Sequence, residues 1–292
     1  MTSRRGAARW GADESTPQPL VDVLIGTVGR TSELAVTLAG LAAQDDPPFR
    51  VILSDQSDGH PLAADPAVQS MLRVLALQGR DPQVLRHGPR RGMAEHRDFL
   101  LRQAGAPYVL FLDDDIWLEP GSLARLHEAI ERLGCGFVGM APQGLSYVGD
   151  HRPSEQQPFE PWDGPVEPER IRRGGPGFER WTLHNAANLV HLAAELPEPE
   201  HGWLPYRVAW VGACVLYRRA ELLEAGGFGF WHELPADHSG EDVVAQWRLM
   251  ERSGGAGILP SGAVHQEAPT TIPVREIDAP DVVIAKDDLL AG

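Results

Sequence analysis

Tyr108-Val109-Leu110-Phe111-Leu112-Asp113-Asp114-Asp115-Ile116-Trp117-Leu118-Glu119-Pro120 decides how the rest of this 292-residue chain reads. Five apolar residues of strand character run directly into three carboxylates, the pattern of a buried strand whose polar end opens into a site. Three adjacent anions repel one another, so a fold that gathers them at a strand end calls for a compensating cation. Mg²⁺ or Mn²⁺, hard ions that prefer oxygen ligands, are the natural choice. Two blander readings compete. One aspartate could cap the helix that follows while the others face solvent. An apolar strand ending in Asp also accompanies the phosphate loop of nucleotidases, but that loop requires a lysine, and the only lysine of the chain is Lys286.

Upstream of this strand the pattern alternates. Leu20 to Thr27 is a β-branched run broken by Gly26; Leu34, Leu38 and Leu41 recur at helical spacing behind Thr31 or Ser32 as cap; Phe49 to Leu53 is a second strand, ending at Ser54-Asp55-Gln56-Ser57. Ligands of open parallel sheets collect at the carboxyl ends of the strands, which makes Thr27 and Asp55 candidates for a shared pocket. A helix from Asp65 to Leu77, a short strand near Gln83 to Leu85 and a helix opening at Gly92 follow. Arg97 lies on the first turns of that last helix, facing solvent or the pocket.

Downstream, Ser122 starts an amphipathic helix closed by Gly134, and Phe137 to Met140 reads as a strand. Residues 141–183 are irregular and rich in Pro, Gly, Trp and charge, a pattern of disorder or of a functional loop. A strand near Ala209 to Tyr217 and a short helix lead to Gly226-Gly227-Phe228. A second acidic group, His238-Ser239-Gly240-Glu241-Asp242, then opens a helix; Ser239 could cap it, and the helix dipole favours Glu241 and Asp242 in its first turn. His265, after the apolar pair Ala263-Val264, is either a satisfied polar residue or a metal ligand.

The whole is an α/β chain with one domain over residues 20–272, divided near residue 140. Residues 1–19 read as a disordered tail and 273–292 as an extended acidic one. A hydrophobic content of 42% provides for a sizeable core, and a formal charge of −15 gives no reason to expect a nucleic-acid partner. No stretch approaches the roughly 18 apolar residues of a membrane span. Cys135 and Cys214 sit in apolar settings and suit a reducing compartment. A cytoplasmic protein, at most peripheral at the inner membrane face, is expected.

In order and spacing these segments resemble a family-2 glycosyltransferase of the GT-A fold over roughly residues 20–267. Val21 to Arg30 resembles the opening strand and turn, Val51 to Ser57 the nucleotide-base segment, Gly92 to Arg97 the helix before the metal strand, and Phe111 to Asp115 the Asp-x-Asp strand. Val211 to Phe228 resembles the acceptor-side strand and turn, and Gly240-Glu241-Asp242 the acidic catalytic motif. The resemblance implies a mostly parallel sheet flanked by helices, a nucleotide-sugar-binding half (20–140) and an acceptor-binding half (141–272), and an inverting transfer from a nucleotide-diphospho-sugar, a UDP-sugar foremost, to a hydroxyl on a glycan, a lipid-linked or a small-molecule acceptor, in cell-envelope or polysaccharide synthesis.

It further implies that Thr27, Arg30 and Asp55 contact the nucleotide, with Arg97 supporting it. Asp113 would approach the ribose, and Asp115 would hold a Mn²⁺ or Mg²⁺ ion on the diphosphate. Asp113 and Asp114 would contact the nucleotide and are further candidate ligands of that ion, and His265 lies where some members place a histidine ligand. Asp242 matches the general base and Glu241 an acceptor-supporting acid. Ser54, where an acid is common, Asp98, where Asn often follows the Arg, and Gly29, where Asn is frequent, depart from the pattern. A sugar-1-phosphate nucleotidylyltransferase is the alternative enzyme, weakened by the lack of lysine; a non-catalytic nucleotide-sugar-binding module is the alternative outside catalysis.

Overall fold

Strand β1 (Val21–Thr27) shows how the sheet is built. Val21, Val23 and Ile25 enter one apolar cluster and Leu24 enters the other, so an unbroken apolar run is buried on both faces. The same alternation divides Leu110 and Leu112 from Val109 and Phe111 on the strand before the aspartates. Each such side chain, fully buried, stabilises the fold by about 1.5–3 kcal/mol.

A computed structural model describes residues 2–12, 15–59, 61–184, 188–197, 199–271 and 275–291. After β1 come α1 (Thr31–Ala42), β2 (Phe49–Asp55), α2 (Pro66–Leu77), β3 (Gln83–Arg86), α3 (Met93–Gln103) and β4 (Tyr108–Leu112). Next are β5 (Ile116–Leu118), α4 (Ser122–Leu133), β6 (Phe137–Gly139), β7 (Gln143–Gly144), α5 (Asn188–Glu195), β8 (Leu204–Tyr206) and β9 (Cys214–Arg218). The chain closes with α6 (Arg219–Glu224), β10 (His238–Ser239), α7 (Glu241–Ser253), β11 (Gly255–Leu259), β12 (Ala263–His265), β13 (Ile277–Asp278) and α8 (Ala279–Ala291).

The main sheet has the order β3-β2-β1-β4-β9-β6-β11-β8. Its first four strands are parallel, β9 runs antiparallel between β4 and β6, β11 is parallel to β6, and β8 closes the edge antiparallel. Helices α1, α2 and α4 cover one face, while α3, α6, α7 and α8 cover the other. This is the expected α/β architecture, a mostly parallel central sheet between helices. Two small sheets sit at its rim, β5-β12-β7 and β10-β13.

Local signals behave unevenly. Asp65 caps α2 by accepting the Ala67 and Val68 N–H groups, and Gly134, at φ 63°, ends α4. The expected caps on α1 and α7 do not form: Thr31 lies inside α1, whose N-cap is Arg30, and Ser239 lies in β10, leaving Gly240 as the N-cap of α7.

The ends differ from the tails expected of them. Ser3 donates through its N–H to Asp46 and through its hydroxyl to the Asp45 carbonyl, Arg80 donates to Ser3, and the Arg5 N–H reaches the Gln78 carbonyl. These contacts use backbone groups and charges of neighbouring loops, so no apolar period announces them. At the other end α8 buries Ala279, Val283 and Ile284, and its acids pair with arginines: Asp287 with Arg248 of α7, Asp288 with Arg170 and Arg172. The acidic residues are thus partners in a docked helix. The irregular residues 141–183 are also held in place. Trp162 is buried beneath the Arg207 guanidinium, 3.6 Å from the ring centroid, and Arg180 bridges Glu160 and Glu169.

Candidate active site

Parallel pairing brings the ends of β1, β2 and β4 to one edge, with Thr27 opposite Asp55 and the aspartates just beyond Leu112. There Thr27, Arg30, His96, Asp113, Asp114, Asp115 and His265 line a cleft of about 300 Å³. His265 arrives through the rim sheet. Its pairing with Ile116 sets it beside Asp115, and the Gln266 N–H donates to the Asp115 carbonyl at 2.9 Å.

The three aspartates have three different surroundings. Asp114 is buried and accepts from Thr27 Oγ1 at 2.7 Å and from Arg30 Nη1 at 2.8 Å, while Thr37 donates to its carbonyl. Burial raises its pKa against those bonds. Asp115 shares the same Arg30 nitrogen at 2.8 Å and stands 3.6 Å from His265 Nε2. Asp113 opens most to the cleft, with 39% of its side chain exposed, and meets Arg97 Nη2 at 3.3 Å. The protein around it pushes Asp113 up to about 7, Arg97 opposing and the neighbouring aspartates reinforcing.

Asp115 and His265 offer one carboxylate oxygen and one imidazole nitrogen at a common point. That donor set fits a hard divalent ion that keeps its remaining positions for phosphate oxygens and water. Among the described residues no group of three or more such side chains forms a ready-made shell. His265 Nδ1 accepts the Glu267 N–H at 2.7 Å, so the ring proton lies on Nε2; ligation through Nε2 requires the other tautomer and release of that bond.

Arg97 connects this cleft to the second acidic group. From the buried face of α3 its Nε donates to Glu241 Oε1 at 2.9 Å and its Nη2 to Asp113. Burial alone would lower its pKa, but Glu241, Asp113 and Asp242 raise it. Glu241 is therefore a buried partner of Arg97 and does not line the neighbouring pocket, whereas Asp242 does. Burial and the adjacent Glu241 push Asp242 up to about 6, with Arg97 pulling it down. Gly240 has to be glycine on two counts: its φ is 77°, and a Cβ would lie 2.2 Å from an Asp278 oxygen.

Asp55 is set behind the cleft. Oδ1 accepts the Ser57 N–H at 2.8 Å and Oδ2 accepts the Leu62 N–H at 3.0 Å and Arg86 Nη1 at 2.8 Å. Burial would raise this carboxyl; the bonds from Ser57, Leu62 and Arg86 outweigh it and hold the pKa below the ordinary value. The structure brings together Thr27, Arg30, Asp113, Asp114, Asp115 and His265, joins Arg97, Glu241 and Asp242 to them, and uses Asp55 to shape the loop.

Two histidines carry weight that the sequence reading missed. His96, facing the cleft, bonds Ser54 Oγ at 2.7 Å, and burial lowers it to about 3. Its ring is so close to β1 that a Cβ on residue 26 would sit 2.8 Å away, which accounts for Gly26 in a β-branched run. Ser54, in place of an acid, suits a neutral imidazole. His238 accepts the Ala94 N–H at 3.1 Å and donates from Nδ1 to the Pro235 carbonyl, capping α3 from the segment that leads into α7. Neither histidine has a local motif; the chemical clue to His96 was Gly26 and Ser54 on the neighbouring strands.

The family model described as Glycosyl transferase family 2 matches residues 22–189, more than half of the chain, ending upstream of Asp242 and His265. No curated protein matches. Among solved structures, S. aureus TarS 1-349 has a TM-score of 0.53 at 14% identity over 83% of this chain and 59% of its own. The same TarS fragment in complex with UDP-GlcNAc gives 0.52 at 16% identity, over 86% and 60%. The Pyrobaculum calidifontis mannosyltransferase PcManGT, in complex with GDP-Man and Mn²⁺, gives 0.51 at 18% identity, over 91% and 64%. The chain thus spans about three fifths of the length of these solved chains, and 36% of the longer TarS chain, and shares their fold. With the aspartate strand, its parallel neighbours and this match in place, the chain belongs to glycosyl transferase family 2.

Proposed function

We propose that the protein transfers a glycosyl group from a nucleoside-diphosphate sugar to an acceptor hydroxyl, with inversion at the anomeric carbon. The observation that carries this reading is Arg97, one buried guanidinium bonded to Asp113 of the cleft and to Glu241 beside Asp242. It sets a carboxylate that can take a proton next to a cleft suited to a diphosphate.

In the single displacement, the acceptor oxygen bonds to the anomeric carbon as the bond from that carbon to the diphosphate oxygen breaks. The electron pair leaves with the diphosphate. Asp242 takes the hydroxyl proton, a role its raised pKa suits, since it is ionised near neutrality and still basic. Glu241 and Arg97 set the electrostatic surroundings of Asp242. Thr27 and Arg30 fix Asp114 and Asp115, and Asp113 faces the nucleotide ribose. A divalent ion held by Asp115 and His265 would neutralise charge on the leaving diphosphate.

The sugar and base of the donor are expected from among the UDP- and GDP-sugars that the structural neighbours bind, a UDP-sugar foremost. No helix of the described residues is long and apolar enough to cross a membrane. The buried free thiols of Cys135 and Cys214 agree with work in the cytoplasm. A thermal-shift screen against UDP, GDP, dTDP, CMP, ATP and common sugar conjugates, with and without Mn²⁺, tests the reading. Metal-dependent stabilisation by one nucleoside diphosphate and its sugar is expected. Stabilisation by a triphosphate alone would turn the reading towards nucleotidyl transfer.

A further inference from the structure

The pocket onto which Asp242 opens, about 580 Å³, is made of different material from the donor cleft. Aromatic rings dominate its wall. Phe178 lies against Trp210 with centroids 6.1 Å apart, His184 lies 5.7 Å from Trp210, and Trp181 is half exposed beside them. The volume is in the range of small-molecule sites, which pair apolar walls with a few directed polar groups.

Two of those polar groups are defined. Asp242 is one. His184 is the other: its Nδ1 accepts the Gly212 N–H at 3.2 Å, so the neutral ring carries its proton on Nε2, which has no acceptor among the described residues. Burial keeps the ring neutral by lowering it to about 4. Both arginines of the pocket already have partners. Arg173 pairs with Asp278 and Asp281, and Arg275 donates to Thr270.

We propose that this pocket takes the acceptor as a neutral carbohydrate ring, its C–H face against Trp210 and one of its oxygens accepting from His184 Nε2 while a neighbouring hydroxyl meets Asp242. This rests on the transferase reading above. A sugar ring has an apolar face and a polar edge, and the negative face of an indole attracts its C–H groups. A phosphate or carboxylate acceptor would meet Asp242 as a like charge and would have to draw Arg173 away from Asp278 and Asp281. A hydrocarbon acceptor would leave the His184 N–H and Asp242 without partners.

The test is a titration of tryptophan fluorescence in the full chain, with donor consumption followed in parallel. The neutral probes are methyl glucopyranoside, methyl mannopyranoside, methyl galactopyranoside, maltose and cellobiose; the anionic probes are glycerol 3-phosphate and glucuronate. A saturable change with at least one neutral saccharide is expected, its Kd raised about tenfold in Trp210→Ala and returned to within about threefold in Trp210→Phe, which keeps a ring face. His184→Ala should weaken the same saccharide, and His184→Gln, which keeps an N–H, should recover part of the loss. Saturation by anionic probes alone, by no probe, or equally in Trp210→Ala overturns the proposal. Saccharide binding without release of nucleoside diphosphate from any UDP- or GDP-sugar would leave this ligand class standing and overturn the transferase reading. Release only onto the anionic acceptors would do the reverse.

Discussion

The two chambers on either side of Arg97 are built by opposite means. The donor cleft takes its residues from the ends of neighbouring parallel strands, so a few short stretches of sequence supply nearly all its chemistry. The acceptor pocket collects residues from the 173–184 segment, the approach to β9, the start of α7 and the approach to α8. It is held by long-range ion pairs and by tilted and edge-on ring contacts. The difference teaches where sequence reading has power: parallel-sheet edges concentrate function locally, and pockets assembled from loops disperse it.

The sharpest way to break the comparison is at the base. Asp242→Asn should lower kcat by on the order of 10³-fold while nucleotide affinity, read by calorimetry, stays within about threefold. Equal loss of both would make Asp242 a structural residue shared by both chambers.

Arg97→Met leaves Glu241 buried and unpaired and should destabilise the fold by about 3–5 kcal/mol in denaturant unfolding. It also sharpens the electrostatics. Asp242 must be ionised to accept a proton, so kcat/KM should rise with pH through about 6 and level above it. Without the Arg97 charge, which pulls that pKa down, the rise should move to higher pH. An unmoved profile would mean that another group limits the rate.

Confined to the donor side, Asp115→Ala should reduce Mn²⁺-dependent UDP or GDP affinity by roughly 10²-fold, and His265→Ala by about tenfold. If the Mn²⁺ dependence is unchanged, Asp115 serves only Arg30. The smallest effect belongs to the acceptor side. Arg207→Lys keeps charge for Glu169 but weakens the stacking on Trp162, costing about 0.5–1 kcal/mol in thermal unfolding with no change in nucleotide affinity.

What was legible follows from the same contrast. Asp113 to Asp115 announced themselves because three charges after five apolar residues admit few bland explanations, and β1, α1 and β2 could be ordered from their apolar patterns. Asp55 was legible as a strand-end acid but not as a loop fastener, since its Leu62 and Arg86 partners follow from backbone turns that no period records. Glu241 and Asp242 are adjacent in sequence, and only the rotation of about 100° per residue around a helix separates the partner of Arg97 from the group facing the pocket. The docking of α8 hid in its composition. Its acids looked like a solvated tail because the arginines that meet them lie at least 39 residues away in sequence.

Arg97 holds Asp113 and Glu241 with one delocalised charge, and a charge shared in this way is a balance rather than two independent bonds. Drawing the guanidinium towards one carboxylate loosens it from the other. Filling the donor cleft and charging the base are then coupled equilibria, and reciprocity fixes the size of the coupling: whatever donor occupancy does to the proton affinity of Asp242, the protonation of Asp242 does to donor affinity, by the same factor. The two halves of the molecule keep one electrostatic account.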